Sequence, residues 1–213
     1  MADPDPAPPK YLDEIEDQSE AVIRQRIGEL EGEIKRLTET LEQTRKAKQI
    51  LYLSDAALRD ELVRFLADTL GMPAKADGGN KQQFWLVAAA LGEEWGFGEI
   101  RESPAGNVTR EHLAHMMIDR ETVGRPEEFP AMLVVNTFFQ KENLEERDQP
   151  VSPEVTRRAS EDHIMVVRTL DLVRLRQKEQ SGFAGIQEFM ESVRNGGGWY
   201  EVNAQLSSQL HQG

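Results

Sequence analysis

The sequence predicts an α/β protein in which a mixed β-sheet is flanked by helices and preceded by a long coiled-coil helix. Apolar residues repeat every three or four positions near the N-terminus, and two later segments are short continuous apolar runs separated from amphipathic helices by turn residues. Buried strands alternate with helices in this way in α/β domains. We expect a disordered leader at residues 1–10, a coiled-coil dimerisation helix at 11–53, an α/β domain at 54–204 and a tail at 205–213.

The predicted N-terminal helix carries a heptad seam, because its apolar residues follow one another with the spacing 4-3-4-3-4. The seam, which is the predicted dimer interface, consists of Ile23, Ile27, Leu30, Ile34, Leu37 and Leu41. With Ile27, Ile34 and Leu41 at the a positions, β-branched residues at a and leucine at d favour a parallel two-stranded coil. Arg26 at a g position would then face Glu31 at an e position of the partner helix, which is an attractive pair.

Two glycines weaken this helix. Gly28 and Gly32 each cost about 1 kcal/mol in a helix, so the coil is marginal without help from the rest of the chain. The alternative is a single amphipathic helix that folds back on its own domain. The sequence leaves both arrangements open.

The α/β domain begins where Ser54 opens a helix that ends at Gly71. A polar loop at 74–83 precedes two apolar segments that we predict to form a hairpin. Runs at 131–137 and 163–168 have the composition of strands buried on both faces. The remaining predicted elements are the hairpin strands at 84–91 and 95–101, helices at 107–121, from 152, at 170–180 and at 183–194, and a last short strand near 199–202.

Composition excludes several classes of function. Cysteine is absent from the 213 residues, so thiolate catalysis, disulfides and zinc–thiolate sites are excluded. The net charge of -13 repels nucleic acid at long range and weighs against a DNA-coating role. No apolar run is long enough for a membrane span and the N-terminus is acidic and proline-rich, so we expect a cytoplasmic protein without a membrane partner.

One pair of residues on the second hairpin strand could carry chemistry. Glu99 and Arg101 point to the same face because strand side chains alternate. A carboxylate beside a cation can hold a metal and polarise a phosphate, although such a pair is usually a solvated surface pair.

Residues 51–202 resemble the restriction-endonuclease-like PD-(D/E)XK superfamily. The resemblance rests on the element order of helix, strand hairpin with Glu-x-(Lys), helix, strand, helix and strand. It also rests on three segments similar to bacterial members that have a coiled coil in front: Leu133–Thr137, Glu145–Arg147 and Arg168–Leu172.

The resemblance implies roles for the hairpin residues. In the family an Asp and the Glu of Glu-x-Lys bind one or two Mg²⁺ ions, and the Lys orients the attacking water. Here Glu99 matches the Glu, Arg101 stands where the Lys would be, and Gln83 stands near the Asp position, with Asp77 as the nearest carboxylate. We therefore expect a catalytically degenerate, cofactor-free domain that serves as an assembly or binding module. The alternative is a Mg²⁺-dependent nuclease that cleaves DNA or RNA phosphodiesters, with Glu99, Arg101 and Asp77 as catalytic residues and Glu99 and Asp77 as metal ligands.

The implied partners are a second copy of the chain, a protein and a nucleic acid. Phosphate contacts would come from Arg101, Arg110 and Arg120, unless these arginines pair with neighbouring carboxylates. His112 and His115 are spaced for metal binding, but no third ligand follows from their spacing. A structural adaptor that never meets nucleic acid fits the net charge best.

Overall fold

The structure, a computed structural model, describes residues 18–180 and 185–202. The predicted leader at 1–10, the first residues of the predicted coiled-coil helix and the predicted tail at 205–213 lie outside the described residues. The chain divides into two compact units between Lys46 and Ala47.

The N-terminal helix, α1, spans Gln18–Ala47. It ends before the boundary predicted near Leu53, because Gln49–Leu51 form a 3₁₀ turn whose Ile50 is buried in the second unit. Residues four positions apart form ion pairs on the surface of this helix. A terminal nitrogen of the Arg24 guanidinium, for example, lies 2.5 Å from Glu20 Oε1.

The second unit is built on a six-stranded mixed sheet in the order β1-β2-β3-β4-β5-β6, which confirms the predicted α/β class. The first three strands are antiparallel and the last four, beginning with β3, are parallel. The strands are β1 Ala74–Ala76, β2 Gln83–Val87, β3 Glu94–Ser103, β4 Ala131–Thr137, β5 Ile164–Arg168 and β6 Gly198–Trp199. Every residue of β4 and β5 is buried, as their continuous apolar runs predict.

Helices cover both faces of this sheet. α3 and α5 pack on one face, and α2, α6 and α7 pack on the other. Their bounds are α2 Asp55–Arg64, which continues as a π-helical turn at Phe65–Thr69, α3 Arg110–Thr122, α4 Leu144–Arg147, α5 Pro153–Glu161, α6 Thr169–Gln180 and α7 Gly185–Asn195. No helix among the described residues is long and apolar enough to cross a membrane.

β2 is shorter than predicted, because it ends at Val87 and not at residue 91, and two elements, β1 and α4, were not predicted. β1 lies in the segment predicted as a loop, because a three-residue edge strand with Lys75 at its centre lacks an apolar alternation. The one-turn helix α4 has the acidic first turn of a helix but is too short to show a period.

A glycine on β3 is required by a close approach within the hairpin. A Cβ built on Gly98 would lie 2.1 Å from the ring of Phe84, its antiparallel partner on β2. The Phe84 ring therefore fills the space that any side chain at position 98 would need.

Candidate functional site

The candidate site lies under α3 on the face of the sheet that α3 and α5 cover. β3 directs Glu99 and Arg101 to this face, as their alternation predicts, and sheet register places Glu99 between Gln83 of β2 and Leu133 of β4. The side chain of Glu99 is 0% exposed, whereas that of Arg101 is 21% exposed. The carboxylate is thus in the interior, and Arg101 separates it from solvent.

Glu99 and Arg101 form an ion pair between Oε1 and Nε. Among the described residues, no donor other than Arg101 reaches the two buried oxygens of Glu99. Burial raises the pKa of Glu99 to about 7, the Arg101 charge opposes this rise, and Asp119 adds to it. Glu99 is therefore a buried carboxyl group that is poised to hold a proton near neutral pH.

Arg101 is held by two further groups. Its guanidinium donates to Gln82 Oε1 at 3.0 Å and to Asp119 Oδ2 at 3.2 Å. One cation thus lies between two carboxylates, those of Glu99 and Asp119, which leaves little positive potential for a phosphate.

The two histidines of α3 lie in different surroundings. His112 Nδ1 accepts from the backbone N–H of Thr109 at 3.0 Å and so caps the helix. Burial lowers the pKa of His112, and the nearby Arg101 charge lowers it further. His115 is exposed and lies 3.7 Å from Glu111.

Asp77 serves the turn between β1 and β2. Its carboxylate accepts from the backbone N–H groups of Gly79 and Asn80, at 2.8 and 2.9 Å, and from Trp85 Nε1 at 3.2 Å. Burial alone would raise the pKa of Asp77, but these hydrogen bonds outweigh it and hold the pKa below its usual value. Gln83 of β2 lies beside Glu99 of β3, and its backbone carbonyl accepts at 3.0 Å from the N–H of Asp77, which directly follows β1.

These positions do not fit a magnesium ion. Mg²⁺ requires several hard oxygen ligands around one point, whereas Glu99 lies beside the amide Gln83, and the carboxylates of Glu99 and Asp119 both pair with Arg101. Within residues 18–180 and 185–202, no group of three His, Asp or Glu side chains could hold a metal.

The other two arginines predicted to contact phosphate have their own partners and do not pair with the groups around Arg101. Arg120 is buried and donates to the backbone carbonyls of Phe129 and Asp162, at 3.3 and 3.2 Å. Arg110 is exposed and pairs with Glu154 of α5.

Sequence reasoning missed a second buried ion pair, at the carboxyl end of β5. Arg168 and Asp171 form a bidentate pair, with Nε to Oδ2 at 2.8 Å and a terminal nitrogen to Oδ1 at 2.6 Å. Oδ2 also accepts from Trp199 Nε1 at 3.0 Å and from the backbone N–H of Arg168 at 3.1 Å. The sequence signal is an Arg that ends an apolar run three residues before an Asp in the next helix.

The chain matches no protein-family model, no curated protein and no solved structure.

Proposed function

We propose that the chain is a self-associating binding module. In this proposal α1 pairs with a second copy of the chain, and the α/β unit is a catalytically degenerate domain of the restriction-endonuclease-like fold. The unit presents its surface to a protein partner.

The observation that carries the proposal is the apolar stripe on α1. All six seam side chains, namely Ile23, Ile27, Leu30, Ile34, Leu37 and Leu41, are between 42 and 63% exposed. A regular stripe of isoleucine and leucine on a 30-residue helix is unfavourable in water and is covered when two such helices pair. The a and d composition supports a second, parallel copy as the partner.

The restriction-endonuclease-like fold is supported by the order of the elements. The antiparallel hairpin of β2 and β3 carries Glu99, and α3, β4, α5 and β5 follow, with β3, β4 and β5 parallel. This is the order of elements on which the resemblance to the PD-(D/E)XK superfamily rests.

The non-catalytic role is supported by the surroundings of Glu99. Its carboxylate is fully buried, Arg101 lies against it, and the position beside it on β2 is an amide, Gln83. The two carboxylates around Arg101 and the net charge of -13 both disfavour phosphate, so a protein partner is favoured over nucleic acid.

Self-association is tested by light scattering on the full chain and on two double variants. We expect the parent chain to be a dimer, and Ile27→Lys with Ile34→Lys, which places charges in the seam, to be a monomer. Gly32→Lys with Glu39→Lys adds the same side chains on the outer f positions and should remain a dimer. A monomeric parent chain, or a dimeric seam variant, would overturn the proposed interface.

The non-catalytic role is tested with single- and double-stranded DNA and with RNA in the presence of Mg²⁺ or Mn²⁺. We expect no cleavage. Metal-dependent cleavage that a folded Glu99→Gln variant lacks would overturn this part of the proposal and establish the nuclease alternative.

A further inference from the structure

The residues that follow α1 are part of the α/β unit rather than a free linker. We name residues 47–55 the connector. Ala47 is 4% exposed and Ile50 is 0% exposed, and both belong to the core cluster that includes Leu58 and Leu62 of α2. The connector therefore packs into the unit by two side chains before α2 begins.

Three side chains also hold the backbone of the connector. The carbonyl of Leu51 accepts from Arg147 at 3.0 Å, and the carbonyl of Leu53 accepts from Asn136 Nδ2 at 3.4 Å. The N–H of Asp55 donates to Glu102 Oε1. Glu102 and Asn136 lie near the carboxyl ends of β3 and β4, and Arg147 ends α4, so separate parts of the unit fix one short segment.

The central anchor, Asn136, is itself fixed in place. It is fully buried, and its Oδ1 accepts from Thr169 Oγ1 at 2.9 Å and from Arg147 at 3.1 Å. Releasing the connector would leave buried polar groups of this network without partners, which is costly. The connector is thus held to the unit by two buried side chains and three hydrogen bonds.

Ala47 has two roles, because it is the last residue of α1 and a member of the α/β core. The first turn of an isolated helix costs free energy to form, whereas each later residue adds to an existing turn more easily. A helix whose last residue is already held by the α/β core therefore forms at a lower cost. Conversely, pairing of α1 in a dimer holds the helical conformation of Ala47 and so favours the packed connector. Coupling of this kind is reciprocal.

We propose that the connector links self-association of α1 to the stability of the α/β unit, so that dimer formation stabilises the unit itself. This inference rests on the proposed function, because it requires the dimer. The chain provides a selective probe, since all three tryptophans, Trp85, Trp95 and Trp199, lie in the α/β unit and none lies in α1. Tryptophan fluorescence therefore reports unfolding of that unit alone.

The experiment follows thermal unfolding by tryptophan fluorescence at protein concentrations that span about a hundredfold and keep the parent chain dimeric. We expect the midpoint of the parent chain to rise by roughly 3 to 5 °C over this range. A variant with Gly-Gly-Ser-Gly inserted between Lys46 and Ala47 keeps both the seam and the connector. It should remain a dimer, yet its midpoint should not depend on concentration. The monomeric Ile27→Lys, Ile34→Lys variant should likewise show a constant midpoint.

The outcomes separate this inference from the proposed function. A parent chain that is dimeric by light scattering but has a constant fluorescence midpoint overturns the linkage and leaves the self-association intact. An inserted variant whose midpoint still rises with concentration overturns the connector as the route of coupling. A parent chain that is monomeric at every concentration overturns the proposed function, and the linkage with it.

Discussion

Two buried arginine–carboxylate pairs lie on the same face of one sheet, and their surroundings differ in almost every respect. Asp171 meets Arg168 in a bidentate geometry and accepts two further N–H donors. Glu99 meets Arg101 with one oxygen, and no second donor among the described residues reaches either of its oxygens. A buried carboxylate is stable as an anion only when donors replace the lost water, so the two pairs hold charge differently.

The pKa shifts express the same difference. Burial alone would lower the pKa of Arg168, but the hydrogen bonds and charges of Asp171 and, to a smaller extent, Asp148 outweigh it and raise the pKa. At the other pair, burial dominates and raises the pKa of Glu99 to about 7. Burial of a charge is thus compensated at β5 and largely uncompensated at β3.

The largest effect is expected from Asp171→Ala, which removes the bidentate carboxylate of the buried Arg168 and leaves it, among the described residues, only Asp148, 3.2 Å away, as an acidic partner. We expect the free energy of unfolding to fall by about 3 to 5 kcal/mol, measured by urea denaturation. Asp68→Ala, which removes an exposed carboxylate, is the control. It should change the free energy of unfolding by less than about 0.5 kcal/mol. If the free energy of unfolding fell equally little in both variants, the Arg168–Asp171 pair would not contribute to the stability of the fold.

Glu99→Gln is expected to act through pH. The folded chain keeps a proton on Glu99 up to about pH 7, whereas the unfolded chain loses it near the ordinary pKa of 4.5. The stabilisation that this proton contributes is complete below pH 4.5 and is lost as the pH rises through 7. The free energy of unfolding of the parent chain, relative to Glu99→Gln, should therefore fall by roughly 3 kcal/mol between these limits. A difference that stays constant with pH would show that folding does not shift the pKa of Glu99.

Trp199→Phe removes one hydrogen bond from Asp171 and keeps an aromatic ring beside Arg168, which lies 4.9 Å from the ring centre. We expect a loss of about 1 to 2 kcal/mol in the free energy of unfolding, because the lost partner is a charged acceptor. Trp95→Phe is the matched control. Trp95 lies 5.0 Å from Arg194 in the same type of contact, so a loss as large there would assign the effect to the ring and not to the hydrogen bond.

Asp119→Asn gives the smallest expected effect. The negative charge of Asp119 raises the pKa of Glu99, so its removal should lower that pKa. Carbon-13 NMR of the glutamate carboxyl groups measures the change, with Glu121→Gln on the exposed side of α3 as the control. A pKa that rises in Asp119→Asn would contradict the arrangement of one cation between two carboxylates.

The sequence predicted the buried strands better than the edges. β4 and β5 consist mostly of continuous apolar residues because both of their faces are covered. β1 escaped prediction because an edge strand with Lys75 needs only backbone pairing with β2, which leaves little trace in side-chain type.

The candidate site was predictable in part. Alternation along β3 sufficed to place Glu99 and Arg101 on one face, since the period of a strand is fixed. It could not show that Asp119, 18 residues after Arg101, would share this arginine with Glu99. That contact depends on how α3 crosses the sheet, which tertiary packing decides. The pairing of Arg168 with Asp171 was hidden for a related reason, because it spans the junction of a strand and a helix, where neither period applies.

Phe84 and Gly98 constrain each other across the hairpin in a way that bears on how the sequence can change over time. Alanine at 98 alone would collide with the ring, and a small residue at 84 alone would leave a cavity. Each single change is disfavoured, whereas a small residue at 84 together with a larger one at 98 refills the same volume. The two positions are therefore expected to covary among descendants of this chain, and a library that randomises both together should recover functional pairs that neither single-site library contains.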